Sequence, residues 1–194
     1  MMKGIIFSAA LLLGMAPAAA APVYTFPIQG CSYTYAHSHH NYPATDILTK
    51  FGCKFVAPTS GVIDEVNRKD RYSWKSNSGA DRGGIMLSMI GDDGVRYYGS
   101  HLSYIPANIV HGIRVNAGDL LAKVGNSGDA KGTSPHLHFG VSWPTPVNIW
   151  WVRRGELYPW PSLDAWKSGK DLSPATAVLK LEKKVGTVPK QVGY

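Results

Sequence analysis

Beyond its first twenty residues, this chain carries no long segment with a sustained 3.6-residue apolar period. Short runs rich in Val, Ile, Tyr and Phe recur instead, each closed by Gly, Ser, Asn or Asp. Strand signals stand at 46–48, 55–63, 84–90, 95–102, 113–115 and 120–125, and from 136 onward. Ser60-Gly61 punctuates the second of these, Asp92-Asp93-Gly94 reads as a hairpin turn, and Asn116-Ala117-Gly118-Asp119 as another. Such spacing predicts an all-β fold, an antiparallel β-sheet or sandwich. Residues 67–84 are polar and Gly/Ser-containing and read as a long loop, the kind that walls a cleft. Residues 143–166 are rich in Trp and Pro and read as an irregular aromatic extension packed on the β core, or as a sugar- or peptide-binding surface, with a helical turn at 163–167. From 171 to 194 the chain is basic and without a core pattern, and reads as a tail.

The beginning of the chain reads as a leader. Lys3 precedes an apolar run from Gly4 to Met15, and Ala18-Ala19-Ala20 supplies small residues before a cut at Ala21. The run is too short to span a bilayer comfortably. Residues 1–20 are therefore expected to be a signal peptide, the mature domain to cover 21–170, and the protein to be exported to the periplasm or beyond. Without the leader, 19 basic residues stand against 13 acidic ones. That excess suits an anionic partner. Export and the scattering of the basic residues argue against nucleic acid, and no stable membrane anchor is expected. In an oxidising compartment Cys31 and Cys53, the only two cysteines, are expected to pair.

The chemistry lies in the histidines. In Pro135-His136-Leu137-His138-Phe139, strand alternation turns both imidazoles to one face and Leu137 into the core. His39-His40 with Asp46 and His101 after Tyr97-Tyr98-Gly99-Ser100 complete three clusters. Zinc hydrolysis needs three protein ligands and an open position, and imidazoles with one carboxylate are a suitable set. Further polar groups must move the proton and stabilise the oxyanion. There is no His-Glu-x-x-His helix and no Gly-x-Ser-x-Gly elbow. Asp46 alone also fits a turn cap, Asp64 and Glu65 read as solvated strand residues, and His111 reads as structural or surface.

Taken in order, these segments resemble the lysostaphin-like, LytM-type zinc metallopeptidases. The resemblance rests on His40-Asn-Tyr-Pro-Ala-Thr-Asp46, Tyr97-Tyr98-Gly-Ser-His101-Leu102, the Gly-x-(Ser/Thr)-Gly-like Gly125-Asn126-Ser127-Gly128, and Pro135-His136-Leu137-His138-Phe139. It covers about residues 36–142. It implies one zinc (Zn2+) per chain held by His40, Asp46 and His138, with His101 and His136 as catalytic histidines. It also implies hydrolysis of peptidoglycan peptides by a monomeric enzyme. One departure is visible: five residues separate His40 from Asp46 where the family has three. His40 is favoured as first ligand and His39 remains the alternative. His37 reads as a loop residue at the cleft entrance. Competing readings are a non-catalytic wall-binding module on the same fold, another exported zinc hydrolase, and a lipoyl-type carrier, for which no Met-Lys-Met tip exists.

Overall fold

The computed structural model describes residues 23–191. The leader read at 1–20 lies outside them. The strands are β1 (Ile28–Gln29), β2 (Thr34–Tyr35), β3 (Thr45–Leu48), β4 (Lys54–Val56), β5 (Gly61–Asn67) and β6 (Met86–Gly91). They continue as β7 (Arg96–Ser100), β8 (Leu102–Tyr104), β9 (Arg114–Val115), β10 (Leu120–Val124) and β11 (His136–Ser142). Every pairing is antiparallel. A seven-stranded sheet runs β2-β3-β11-β7-β6-β5-β9, and a four-stranded sheet runs β1-β4-β10-β8. The all-β reading is therefore correct, and the turns at 92–94 and 116–119 join strands where expected.

One apolar core serves both sheets. Phe55, Leu121 and Ala122 from the small sheet meet Ile47, Leu87, Met89, Leu137 and Phe139 from the large one. Gly99 on β7 allows the close approach, because a Cβ there would lie 2.3 Å from the Phe55 ring. The chain passes from the large sheet to the small one at His101, between β7 and β8, with φ of +61°. A non-glycine residue rarely adopts that conformation and does so at some cost in strain. Two backbone bonds hold it: the His101 N–H donates to the Gly83 carbonyl and the Leu102 N–H to that of Ile85, at 2.9 and 3.0 Å.

Cys31 and Cys53 are joined as a disulfide across a separation of 22 residues. A loop of that size gives a stabilisation of about 3 kcal/mol in the chain-entropy model. Replacing both cysteines by serine is expected to lower the unfolding free energy by about that amount, measured by denaturant titration. No loss would mean that the sheets alone fix the β2–β4 segment.

The end of the chain departs from the sequence reading. Residues 143–166 are not irregular throughout but include α1 (Trp150–Arg153) and the start of α2 (Trp160–Lys167). Trp166 stacks on Tyr24 at 5.3 Å and meets Phe139 edge-on. The stretch read as a tail carries α3 (Ala175–Val185), whose Val178 joins the core. Beyond it, the indole N–H groups of Trp143 and Trp151 donate to the carbonyls of Thr187 and Pro189 at 2.8 and 3.0 Å. Indoles need a partner when buried, so the aromatic segment and the residues after it fold as one unit. Among the described residues no helix is long and apolar enough to cross a membrane.

Asp64 and Glu65 are half-buried and paired rather than freely solvated. The register of β5 slips between Ile63 and Glu65, and such a bulge re-aims side chains. Asp64 forms an ion pair with Arg96 at 2.8 Å and accepts from Arg153 at 3.1 Å and Ser88 at 2.9 Å, while Glu65 pairs with Arg153. Arg96 and Arg153 are buried, so these carboxylates are the charge partners that make their burial tolerable.

Candidate active site

Strand register brings the polar groups together. In the β3–β11 pair, His138 lies directly opposite Asp46 and His136 opposite Leu48, and directly paired residues share a face. Leu137 and Phe139 leave β11 on the other face and are fully buried. On its other side, β11 pairs His138 with Ser100, the residue before His101. The rings of His101 and His136 are 4.8 Å apart, and those of His101 and His138 are 5.9 Å apart. His39 arrives on the loop before β3, its ring 4.9 Å from that of His138. The side chains of His39, Asp46, His101, His136 and His138 line one open cleft of about 970 Å3. Its far wall includes Arg71 and Gly79–Gly83 of the long loop, as expected for residues 67–84.

The hydrogen bonds assign the ring nitrogens. The Arg154 carbonyl can only accept, so His138 donates Nε2–H to it at 3.1 Å. In the neutral ring this turns the Nδ1 lone pair to Asp46 Oδ1, 3.0 Å away. His39 donates Nδ1–H to the Tyr42 carbonyl at 3.1 Å, leaving Nε2 3.6 Å from the same carboxylate oxygen. Two nitrogen lone pairs and a carboxylate oxygen thus converge with no hydrogen between them. Acceptors so close need a cation, and imidazole with carboxylate is a donor set that suits zinc. Second partners on the outer nitrogens are what orient metal-ligating histidines. The residues present therefore fit a zinc ion.

His40 is also within reach. Ligand atoms of His39, His40 and Asp46 lie within 4.8 Å of one another. The two histidines differ in surroundings: the His39 side chain is 4% exposed, whereas His40 is exposed and meets His39 edge-on. Burial first, then the neighbouring His138, lowers the pKa of His39 to about 4. Burial pushes the Asp46 carboxyl up, but the neighbouring His138, His39 and His136 outweigh it and hold the group well below the usual carboxylate range.

His101 and His136 stand beside this set with the same polarity. His101 donates Nδ1–H to the Ser127 carbonyl and His136 donates Nδ1–H to that of Ser134, both at 2.9 Å. Each ring keeps Nε2 as an acceptor. Burial, then the charges of His138 and His136, lower the pKa of His101 to about 3, so its ring is neutral. Asp129 Oδ1 is 3.9 Å from His101 Nε2.

His37 and His111 stand elsewhere. His37 stacks on Trp160 at 4.5 Å and pairs with Asp164 at 3.0 Å, and it does not line the cleft. His111 is exposed and donates Nδ1–H to the Asp64 carbonyl. Sequence reasoning missed Tyr42, Arg154 and Asp129. Tyr42 contributes its carbonyl to His39, and its hydroxyl lies 3.4 Å from His138 Nε2. The Arg154 guanidinium lies 3.7 Å from the Tyr42 ring centroid. The extra residues between the histidines and Asp46 were the available signal for Tyr42. Nothing in the spacing marked Arg154 or Asp129.

Comparison with known proteins identifies the family. The model of peptidase family M23 matches residues 38–149, more than half of the chain. The chain belongs to peptidase family M23. The solved catalytic domain of the antimicrobial peptidase lysostaphin from Staphylococcus simulans is similar in fold, with 24% identity and a TM-score of 0.51. That match covers 68% of this chain and 92% of the other. A putative glycyl-glycine endopeptidase lytM from Ruminococcus gnavus matches at 24% identity and a TM-score of 0.55, over 77% of this chain and 62% of that one. A putative peptidase M23 from Pseudomonas aeruginosa matches at 20% and 0.53, over 74% and 53%. No curated protein matches. The M23 match begins at Ser38 and so includes every residue of the donor set.

Proposed function

We propose that this M23 protein is an exported, monomeric zinc endopeptidase that hydrolyses peptide cross-links of bacterial peptidoglycan. The observation that carries the reading is the convergence of His39 Nε2, His138 Nδ1 and Asp46 Oδ1 beside two further imidazoles. His39, Asp46 and His138 are the proposed zinc ligands. Of the two candidates for the first position, His39 is favoured because it is buried and its outer nitrogen is already fixed by Tyr42. Zinc held there lowers the pKa of a water towards neutrality and polarises the scissile carbonyl.

The chain's own groups supply the rest. His101 and His136 each offer Nε2 to the cleft. One accepts the proton of the attacking water as the C–O bond forms and returns it to the leaving amine as the C–N bond breaks. Once protonated, the ring also faces the developing oxyanion. The Cys31–Cys53 disulfide supports an oxidising compartment, in keeping with the leader.

The His101→Ala variant is expected to retain one zinc per chain while its turnover falls about 10²–10⁴-fold, the usual contribution of a positioned acid–base group. Metal content and kcat on purified cross-linked peptides check this. Loss of the metal together with activity would move His101 into the ligand set.

A further inference from the structure

The two carbonyls that orient the proposed imidazole ligands belong to residues whose own side chains stack on each other. The Tyr42 carbonyl accepts His39 Nδ1–H, and the Arg154 carbonyl accepts His138 Nε2–H, each at 3.1 Å. The Arg154 guanidinium lies 3.7 Å from the centroid of the Tyr42 ring and 5.2 Å from that of Trp150. Arg154 is buried, so this contact is made out of water, where the attraction of a cation for a ring face is strongest. The Tyr42 ring in turn meets His39 edge-on at 4.5 Å and lies 5.7 Å from His138. The backbones beneath the stack also touch. Gly155 has a φ of +139°, and a Cβ there would collide with the Pro43 carbonyl oxygen. Tyr42 precedes β3 and Arg154 follows α1, so no strand ladder fixes either carbonyl. What joins the two segments at this point is the close backbone approach and the stack upon it.

We propose that the Tyr42–Arg154 stack is a staple that sets both imidazoles at once, which makes Tyr42 and Arg154 positioning residues of the site through their side chains. Its consequence for the metal rests on the zinc reading, but the staple itself is observable in the metal-free chain. If each carbonyl held its ring independently, a change confined to the Arg154 side chain would leave His39 as it is. With the staple, the same change frees the Tyr42 segment and loosens a hydrogen bond that Arg154 does not make. Outer partners of this kind govern metal affinity, so the two ligands should weaken together.

Hydrogen exchange of the imidazole N–H groups, read by NMR of the metal-free chain, tests the coupling. The His39 and His138 side chains are each 4% exposed, so their N–H groups exchange through local opening. R154Q keeps the carbonyl that His138 uses and removes the guanidinium. It is expected to speed exchange at His39 Nδ1–H about tenfold, the worth of a desolvated cation–π contact. The backbone amides of Leu137 and Phe139 serve as the reference for general destabilisation and should change less. R154K should act as R154Q does, because an ammonium cannot lie as a plane on the ring, and it carries the comparison if R154Q does not fold. Y42F keeps the ring and removes the hydroxyl 3.4 Å from His138 Nε2; a rise at His39 equal to that in R154Q would assign the effect to the hydroxyl and overturn the staple. With zinc, competition against a calibrated chelator should show R154Q and Y42L each about tenfold weaker, and the double variant no weaker than the weaker single. Exchange at His39 that rises no more than at Leu137 and Phe139, or zinc losses that multiply in the double variant, would overturn the staple. Coupled exchange in a chain that takes up no zinc would keep the staple and refute the zinc reading. Zinc uptake without coupled exchange would do the reverse.

Discussion

The His39→Ala variant is expected to bind no zinc and cleave no cross-link, while His40→Ala keeps one zinc per chain and most of its turnover. The two residues are adjacent and both can approach Asp46, so the expectation rests on their surroundings. His39 is buried, its Nδ1–H is committed to the Tyr42 carbonyl, and its Nε2 faces Asp46 Oδ1. The proposed ligand atom therefore needs no reorganisation to meet the ion, a pre-orientation that second partners of metal-binding histidines provide. His40 is exposed and loses more side-chain freedom on being fixed. Removing His39 leaves two protein ligands, fewer than catalytic zinc sites use. Zinc content by elemental mass spectrometry, with turnover on the same samples, decides between them. Metal retained by His39→Ala and lost by His40→Ala would restore His40 as the first ligand.

The second large effect is expected at a residue with no side chain. Gly140 lies two positions after His138 on the same face of β11, where segment 154–155 crosses. A Cβ at 140 would stand 2.1 Å from the Arg154 carbonyl oxygen and 2.6 Å from its carbon. Backbone cannot rotate out of the way as a side-chain end can, so Gly140→Ala must displace the crossing segment. Overpacking of this sort costs about 1–3 kcal/mol. The displaced carbonyl is the one that receives His138 Nε2–H, and loss of such an outer partner lowers metal affinity about 10–100-fold. Denaturant unfolding and competition with a calibrated chelator measure the two effects. Unchanged zinc affinity in a destabilised variant would show that the Arg154 carbonyl does not orient the ligand.

Much of this architecture was legible because strands write their pattern locally. The alternation through His136, Leu137 and His138 placed two imidazoles on one face, and the Asp92-Asp93-Gly94 turn marked a hairpin that the structure contains. Cys31 and Cys53 had only each other as partners, and they pair. What escaped depends on approach through space. The preference proposed for His39 over His40 rests on the path of a short loop whose Tyr42 carbonyl accepts from His39. Asp64 and Glu65 looked solvated because their partners, Arg96 and Arg153, come from a strand two places away and from a helix that follows β11. Helix α3 carries an apolar stripe through Ala175, Val178 and Leu181, but only Val178 is fully buried and four charged residues share the helix, so the stretch reads as a basic tail. Nothing in the sequence singles out Arg154, since stacking on Tyr42 and Trp150 requires the fold.

The central claim is that a zinc ion held by this chain hydrolyses wall peptides. Its most direct test is mass spectrometry of purified peptidoglycan incubated with the mature protein, with and without a chelator. The expected result is new amino termini at cross-links, abolished by chelation and restored by added zinc. An intact digest profile from protein carrying one zinc per chain, on walls of both neutral and acidic cross-link chemistry, would contradict the claim and leave a metal-loaded binding module.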